Sequence, residues 1–216
     1  MLALYGQGGP IMLPLLLCSI ISATVIIERF WFWGRIDGRL DAGRLETCLE
    51  HARRGEWHRA LALVADRRDY LSIVLLAGID GRYASPSKVM AAVATEEVSR
   101  MRRYMPVLDT VITAAPLLGI LGTVIGIIVS FDILGSRGIE DPLAVTSGIA
   151  QALITTAAGL TVAIITVFPY NYFNARVARA IHRMETWTTR LEAILASPVA
   201  RNIPVKEMGH EAQLAN

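Results

Sequence analysis

Three stretches of the sequence carry no charged residue, and each is longer than the roughly 20 apolar residues that a helix needs to cross a bilayer. They cover residues 1–27, 110–131 and 142–175. Hydrophobic residues make up 53% of the chain, yet 19% is charged, and the charges lie between and after these stretches. This pattern predicts an all-α membrane protein with three transmembrane helices and long helical extensions outside the membrane.

The basic residues predict the orientation of these spans. Residues 1–28 contain no Lys or Arg, residues 34–105 contain thirteen, and residues 174–216 contain six. Only Arg137 lies in residues 132–146. Because basic loops remain in the cytoplasm, we expect an N-out/C-in topology. Ten acidic residues accompany the thirteen basic ones, so we do not expect nucleic-acid binding.

The end of the first stretch indicates a retained membrane anchor. It lacks a cleavage site for a signal peptidase and ends in Glu28, Arg29 and the aromatic run "FWFW", which is typical of an interfacial belt. We interpret Glu28 and Arg29 as a pair that extends toward the membrane edge. The predicted segments are 1–33 (periplasmic N-terminus and first span), 34–105 (cytoplasmic helical region), 106–131 (second span), 132–146 (short periplasmic loop), 147–171 (third span) and 172–216 (cytoplasmic C-terminal helix and tail).

The region after the first span has helical periodicity. "DAGRLETCLEHARRGEWHRALALVA" predicts a helix pair interrupted at Gly55, and "LSIVLLAGIDGRY" predicts a further short helix. From Ser87 the pattern continues to Pro106, so we expect one long helix that enters the second span. The third span should likewise continue as an amphipathic helix to about Ser197.

Small residues recur at helical spacing in the second and third spans. The two predicted small faces are Gly119, Thr123, Gly126 and Ser130 in the second span, and Gly148, Ala152, Thr155, Gly159, Ala163 and Thr166 in the third. Such faces are typical of close helix packing, but they can also line a polar path. We expect that one three-helix subunit cannot satisfy both faces, which favours a ring of copies.

"TAAPLLGILGTVIGIIVSF", "GIAQALITTAAGLTVAI" and "YNYF" together resemble the TolQ/ExbB/MotA family of ion-driven motor stators. Three spans resemble its TolQ/ExbB branch. The resemblance implies a pentamer around two copies of an ExbD/TolR-like partner, which has one membrane helix bearing an Asp. It further implies a TonB/TolA-like protein that transmits force to the outer membrane or envelope.

The same resemblance implies roles for individual residues. Thr123 and Thr156 match the threonines that face the partner's Asp, and Gln151 and Thr155 join them in the predicted ion path. Where the family commonly has Glu, this chain has Gln151, which does not titrate. The predicted packing residues are Pro116, Gly119, Gly122, Gly126, Gly148 and Gly159.

The chemistry of the spans indicates that the ion carrier belongs to another chain. A relay across a membrane generally needs an ionisable residue, and the candidates Glu28, Asp109 and Asp132 lie at span edges. We expect no metal and no cofactor, with a proton, or alternatively sodium, as coupling ion. A non-conducting membrane scaffold is the alternative function, which Gln151 favours. No nucleophile constellation supports a membrane enzyme.

Overall fold

The computed structural model describes residues 9–37, 40–83, 85–137 and 142–197. Every regular element in these ranges is helical, and none of the described residues forms a strand, which confirms the all-α fold class. The elements are α1 (Met12–Asp37), α2 (Ala42–Arg53), α3 (Trp57–Val64), α4 (Tyr70–Asp80), a 3₁₀ turn (Gly81–Tyr83), α5 (Pro86–Arg102), α6 (Met105–Arg137) and α7 (Pro142–Leu195).

Three helices, α1, α6 and α7, are long and apolar enough to cross a membrane. Their apolar segments are Met12–Ile36, Met105–Gly135 and Thr146–Leu195, with mean hydropathies of 1.8, 2.4 and 1.9. Less than a third of the most apolar part of each is buried within the chain. The prediction of three membrane-length helices is therefore confirmed, and most of their surface is left for lipid or other chains.

The boundaries of α6 and α7 differ from those read from hydropathy. Helix α6 continues to Arg137 and α7 begins at Pro142, so the connection is shorter than the predicted stretch 132–146. Proline is suited to a first turn, where its missing N–H would have no helical partner. Helix α7 ends at Leu195, close to the predicted end at Ser197. The tail predicted after Pro198 lies outside the described residues.

The prediction of one continuous helix from Ser87 into the second span is wrong. Helix α5 ends at Arg102, α6 begins at Met105, and Tyr104 between them adopts a left-handed φ of 67°. Pro106 gives the physical reason: in an unbroken helix it could not donate to the carbonyl of Arg102, and its ring would clash with that carbonyl. In the first turn of α6 the same proline is accommodated without strain.

The chain forms two compact units. The first, here called the span unit, comprises Met1–Trp33 and Arg102–Arg176. The second, here called the charged unit, comprises Gly34–Met101 and Val177–Asn216. Helices α1 and α7 contribute residues to both units, and each unit has its own buried residues.

In the charged unit, α2 and α3 form the helix pair predicted around Gly55. Asp41 caps α2 by accepting from the backbone N–H of Arg44 at 3.2 Å. Gly55 has φ 79°, a conformation that favours glycine, and α3 begins two residues later at Trp57. The buried side chains of the pair are Leu45, Cys48, Leu49, Ala52, Trp57, Ala60 and Val64.

Helix α4 is the central helix of the charged unit. Buried Asp69 caps it by accepting from the Ser72 backbone N–H at 2.9 Å and from the Ser72 hydroxyl at 2.7 Å. A Cβ placed on Gly78 would overlap side-chain atoms of Met90 of α5 and Leu191 of α7, so both helices pack closely against α4 at this glycine. Each large apolar side chain buried here contributes about 1.5–3 kcal/mol.

In the span unit, α1, α6 and α7 meet around a small apolar cluster. Met12 and Leu15 of α1 are buried against Val111 and Ala115 of α6. Ala158 and Val162 of α7, both partly buried, pack against the same cluster. The three predicted spans therefore contact one another within a single chain.

Candidate functional site

Glycines bring α6 and α7 into close contact along most of their apolar length. A Cβ placed on Gly119 would lie 3.0 Å from the Cα of Thr156, and one placed on Gly159 would lie 3.1 Å from the Cα of Gly119. Backbones can approach this closely only where no side chain intervenes. We call this contact the glycine seam, formed by Gly119, Gly122 and Gly126 of α6 and by Gly148, Ala152, Thr155, Thr156 and Gly159 of α7.

The seam excludes larger side chains at its other positions as well. A Cβ on Gly126 would lie 2.8 Å from the Cβ of Ala152 and 3.0 Å from the carbonyl oxygen of Gly148. A Cβ on Gly122 would lie 2.6 Å from Cγ2 of Thr155. The remaining predicted packing residue, Pro116, is half-buried within α6, one turn before Gly119.

The expectation that the small faces need neighbouring copies is wrong. The small face of α7 is buried along its whole length, and in the predicted face of α6 Gly119, Gly126 and Ser130 are buried and Thr123 is half-buried. These faces pack on each other within one chain. Periodicity identified the two small faces but could not identify what each would meet, because small residues fit a sister helix and a neighbouring copy equally well. An oligomer is thus not required by these faces.

One hydrogen bond crosses the seam. The Thr156 hydroxyl donates to the carbonyl oxygen of Gly119 at 2.9 Å, whereas the Thr123, Thr161 and Thr166 hydroxyls donate to carbonyls of their own helices. Thr155 donates to the carbonyl of Gln151 at 2.7 Å and is only 1% exposed. Thr155 is therefore enclosed between α6 and α7, and Thr156 fixes the two backbones at the level of Gly119.

Thr123 lies beside the seam and outside its tightest contacts. It follows Gly119 by one turn, is half-buried, and donates from its hydroxyl to the carbonyl of Ile120 at 2.6 Å. The structure thus brings Thr123 and Thr156 to neighbouring turns, since Thr156 bonds the carbonyl one turn before Thr123. A group from another chain that reached Thr123 would lie next to the seam.

Gln151 faces the segment that precedes α1. Gly9 has a left-handed φ of 69°, and a Cβ built on Gly9 would overlap the Gln151 amide. The amide therefore packs against the backbone of the N-terminal segment. The sequence gives no pattern that links residues so far apart.

Glu28 and Arg29 also differ from expectation. Arg29 is only 2% exposed, and its guanidinium donates from Nη2 to Oε1 of Glu28 at 2.6 Å. The prediction that this pair extends toward the membrane edge is wrong for Arg29, because aromatic rings cover it. Asp109 and Asp132, the other acidic residues at span edges, are both exposed.

Several titratable side chains of the charged unit have shifted pKa values. The pKa of Glu56 is lowered by hydrogen bonds from His51, whose Nδ1 lies 2.6 Å from Oε2, and from Arg59. Burial raises the pKa of the Cys48 thiol to about 11, which disfavours the thiolate. No group of three or more His, Cys, Asp or Glu side chains within the described ranges could hold a metal ion.

The fold and the seam define a multispan, all-helical membrane protein whose second and third spans pack through glycine and threonine. Comparison with known proteins places it more closely. The sequence model of the MotA/TolQ/ExbB proton channel family matches residues 71–186, more than half of the chain. The chain belongs to this family.

Individual relatives agree with that assignment. The chain is 39% identical over 169 residues to a Synechocystis protein named ExbB-like 1, covering 73% of this chain and 64% of the relative. It is 32% identical over 193 residues to ExbB-like 3 of the same organism, covering 87% and 91%. It is 38% identical over 109 residues to the Tol-Pal system protein TolQ of Pseudomonas aeruginosa, covering 50% and 47%. The chain thus spans less than two thirds of the length of the first relative and about half that of TolQ.

Proposed function

We propose that this chain is the inner-membrane subunit of a proton-driven motor of the TolQ/ExbB type. It forms a pentameric ring around an ExbD/TolR-like partner and converts ion flow into mechanical work on the envelope or outer membrane. A TonB/TolA-like protein transmits that work. The topology is N-out/C-in, the coupling ion is a proton, with sodium as the alternative, and the chain needs no cofactor and catalyses no reaction of its own.

The observation that carries this proposal is the absence of a titratable relay from the seam. Residues 110–131 and 142–175 contain no Asp, Glu, His, Lys or Arg. Hydroxyls and an amide can orient water and form hydrogen bonds, but they cannot carry a proton by titration. An ion that crosses beside the seam therefore needs a carboxylate from a partner, which matches the single-span protein with a membrane Asp.

The predicted path residues occupy different positions relative to the seam, and we assign them different roles. Thr155 is enclosed and supports the helix contact, while Thr123 and Thr156 lie at its edge on neighbouring turns. The partner's carboxylate would accept a hydrogen bond from each of these two hydroxyls in turn, and the Thr156 hydroxyl would turn to it from the Gly119 carbonyl. Gln151, against Gly9, would influence the path from the N-terminal segment. Each charge crossing 100 mV releases about 2.3 kcal/mol, so a few ions suffice for a conformational step.

The test is proton flux into liposomes that contain the chain together with its single-span partner. A hydrogen bond to a charged group contributes about 1.5–3 kcal/mol, so Thr123→Val and Thr156→Val should each reduce flux by roughly ten- to a hundredfold. Thr161→Val is the matched control, because Thr161 is exposed on α7 and bonds only the carbonyl of Ala157. Normal flux in both variants would contradict the assignment of the path.

Three further variants distinguish the contribution of the partner's aspartate from that of the Gln151 amide. Replacing the partner's membrane aspartate by asparagine should eliminate flux, since residues 110–131 and 142–175 of this chain contain no carboxylate that could take its place. Gln151→Leu should lower flux moderately, and Gln151→Glu should be tolerated because a desolvated Glu can remain protonated and form hydrogen bonds. Full flux with the asparagine partner would mean that this chain carries the ion.

A non-conducting scaffold is the second candidate, and Gln151 is the observation that favours it. A scaffold would assemble with its partner and show no flux above that of empty liposomes at any imposed potential. Native mass spectrometry of the purified complex tests the ring independently. Five copies support the motor architecture, and a stable monomer contradicts both the motor and the scaffold ring.

A further inference from the structure

Arginine and aromatic side chains alternate at one end of the span unit. The guanidinium of Arg29 lies 4.4 Å from the ring centroid of Phe32 and 5.6 Å from that of Tyr104. Arg103 lies 4.8 Å from the same Tyr104 ring. These contacts join the end of the first apolar stretch to the start of the second.

The contacts between arginines and aromatic rings continue from Phe32 through Trp33 to α7. Trp33 packs edge-on against Phe32, with ring centroids 5.9 Å apart, and Arg176 lies 4.9 Å from the Trp33 ring. Arg176 also donates from Nη1 to the Tyr172 hydroxyl at 3.1 Å. The arginine–aromatic cluster consists of Arg29, Phe30, Phe32, Trp33, Arg103, Tyr104, Tyr172, Phe173 and Arg176.

An exposed apolar column on α7 leads directly to this cluster. Ile164, Phe168, Tyr172 and Arg176 follow one another at intervals of four, so they lie along one face of the helix. Ile164 and Tyr172 are exposed, and Phe168 is 70% exposed. The column changes along its length from aliphatic to aromatic to cationic, which is the order of a bilayer from its hydrocarbon core to its headgroups.

A second exposed column lies on α1. Ile27 and Trp31, one turn apart, are both exposed, and Trp31 is 64% exposed. The adjacent Phe30 stacks on Tyr172 of α7 with ring centroids 5.9 Å apart, so the two columns are neighbours. Together they form a strip of apolar surface with rings and guanidinium groups at the same end.

The charges of the cluster fit an anion. Three arginines, Arg29, Arg103 and Arg176, belong to it, and Arg29 is paired with Glu28. Guanidinium groups bind phosphate through paired N–H donors. A soluble acidic peptide would match the arginines but would leave the apolar columns uncovered. An amphiphile with a negative headgroup matches both.

We propose that the arginine–aromatic cluster is a binding site for an anionic phospholipid. Arg176 and the Tyr172 hydroxyl hold the headgroup phosphate, and Arg103 supplies a second cation within the cluster. The acyl chains lie along the Ile164–Phe168 column beside Ile27 and Trp31. Buried Arg29 does not contact the lipid and instead fixes Phe32 and Tyr104 in place. The site is separate from the glycine seam and does not depend on ion transit.

The experiment is lipid retention by the full purified chain, measured by native mass spectrometry after exposure to equal amounts of phosphatidylglycerol and phosphatidylcholine. We expect phosphatidylglycerol to be retained at least about fivefold more, the preference that one surface arginine gives toward anionic lipid. Arg176→Gln should reduce that preference to near unity, and Arg176→Lys should retain part of it. Arg183→Gln is the matched control, because Arg183 is an exposed arginine on α7 about two turns further on and is not one of the cluster residues.

Each other result overturns the site. Equal retention of the two lipids, an unchanged preference in Arg176→Gln, or an equal loss in Arg183→Gln would mean general attraction only. Displacement of the lipid by soluble glycerol phosphate at equal concentration would identify a free-phosphate site instead. If Arg176→Gln does not give the monodisperse, helical protein of the parent chain, Arg103→Gln replaces it, with an expected loss of at least about twofold.

Discussion

The glycine seam of the span unit and the core of the charged unit bury different kinds of side chain. The charged unit buries large apolar residues, among them Leu71, Leu75 and Met90, and exposes most of its arginines. The span unit buries glycine, alanine, serine and threonine along the glycine seam. Its exposed residues are large and apolar, including Leu117, Ile120, Val124, Ile128, Phe131, Leu153 and Ile164.

Helix α7 shows the reversal within one continuous element. In the span unit its buried positions include Gly148, Ala152 and Gly159, whereas in the charged unit they include Met184 and Leu191. The helical period is the same, but the size of the buried side chain changes. In water, burying large apolar groups drives packing. In hydrocarbon that drive disappears, and close backbone contact through small residues takes its place. Close packing through small residues is the arrangement expected between helices in hydrocarbon, and a core of large apolar side chains is the one expected in water.

Placing a large side chain in the glycine seam should cause the largest loss of stability. In Gly159→Leu the new side chain would overlap the Ala115 carbonyl, which belongs to the backbone and cannot turn aside. We expect α6 and α7 to separate, with a loss of at least about 3 kcal/mol. The measurement is unfolding by sodium dodecyl sulfate in bicelles.

Gly135→Leu is the matched control for that change. Gly135 is on α6 as well, but a Cβ there has no atom within 4 Å. It should unfold like the parent chain. Equal losses in the two variants would mean that any large residue in these helices is harmful, and the seam would have no special status.

A matched pair of leucines tests the comparison from the other side. Leu75 is fully buried in the charged unit, so Leu75→Ala should leave a cavity and reduce stability by about 2–5 kcal/mol. Leu153 is 64% exposed on α7 in the span unit. Because lipid tails are as apolar as leucine, Leu153→Ala should change stability by less than about 0.5 kcal/mol in a bilayer.

The stability of Leu153→Ala also tests whether neighbouring copies contact this face of α7. A large loss in Leu153→Ala, present when the complex is assembled and absent when copies are separated in detergent, would locate a contact between copies at that face. A large loss in both states would contradict the assignment of this face to lipid. The same unfolding assay measures both variants.

Much of the fold follows from local patterns in the sequence. Absence of charge marks the three spans, and Gly55 marks the turn between α2 and α3. The break at Tyr104 was missed because the apolar period of α5 continues toward Pro106 without a change of phase. The effect of that proline depends on whether the helix has already ended before it, and the local pattern does not include the contact of Tyr104, at the break, with Arg29 of α1.

The sequence was sufficient to predict which residues form the candidate site, but not which groups those residues contact. The sequence identified Thr123, Thr156 and the glycines, and the match to the family is now established. It could not show that Thr156 bonds Gly119, because a threonine hydroxyl in a helix usually bonds its own backbone. Nor could it show that Gln151 packs on Gly9 or that Arg29 is buried. These depend on tertiary contacts between distant segments.

We expect a smaller loss of stability when the hydrogen bond from Thr156 to Gly119 is removed. Thr156→Val removes the donor to the Gly119 carbonyl while keeping a similar shape. Hydrogen bonds between membrane helices contribute about 0.6 kcal/mol on average, so we expect a loss of that size. Thr161→Val should leave stability unchanged, since its hydroxyl bonds within α7. A loss in Thr161→Val as large as that in Thr156→Val would show that the cross-helix bond adds nothing.

The smallest expected effect concerns an ion pair in the charged unit. Glu46 of α2 accepts a hydrogen bond from the Arg190 guanidinium of α7, and this bond lowers the pKa of Glu46, with Arg53 adding a weaker attraction. Because the folded pKa lies below the unfolded one, the ionised carboxylate stabilises the fold above the usual glutamate pKa of about 4.3. That contribution is lost as the pH falls through the folded pKa.

Glu46→Gln should therefore unfold slightly more easily than the parent chain at pH 7, and this gap in thermal midpoint should close below about pH 4. Glu50→Gln, at an exposed position of the same helix without an ion pair among the described residues, should show a smaller gap at pH 7. The measurement is the thermal midpoint across this pH range at low salt, since salt screens exposed pairs. A gap in Glu46→Gln that widened on acidification would reverse the sign and exclude the ion pair as its cause.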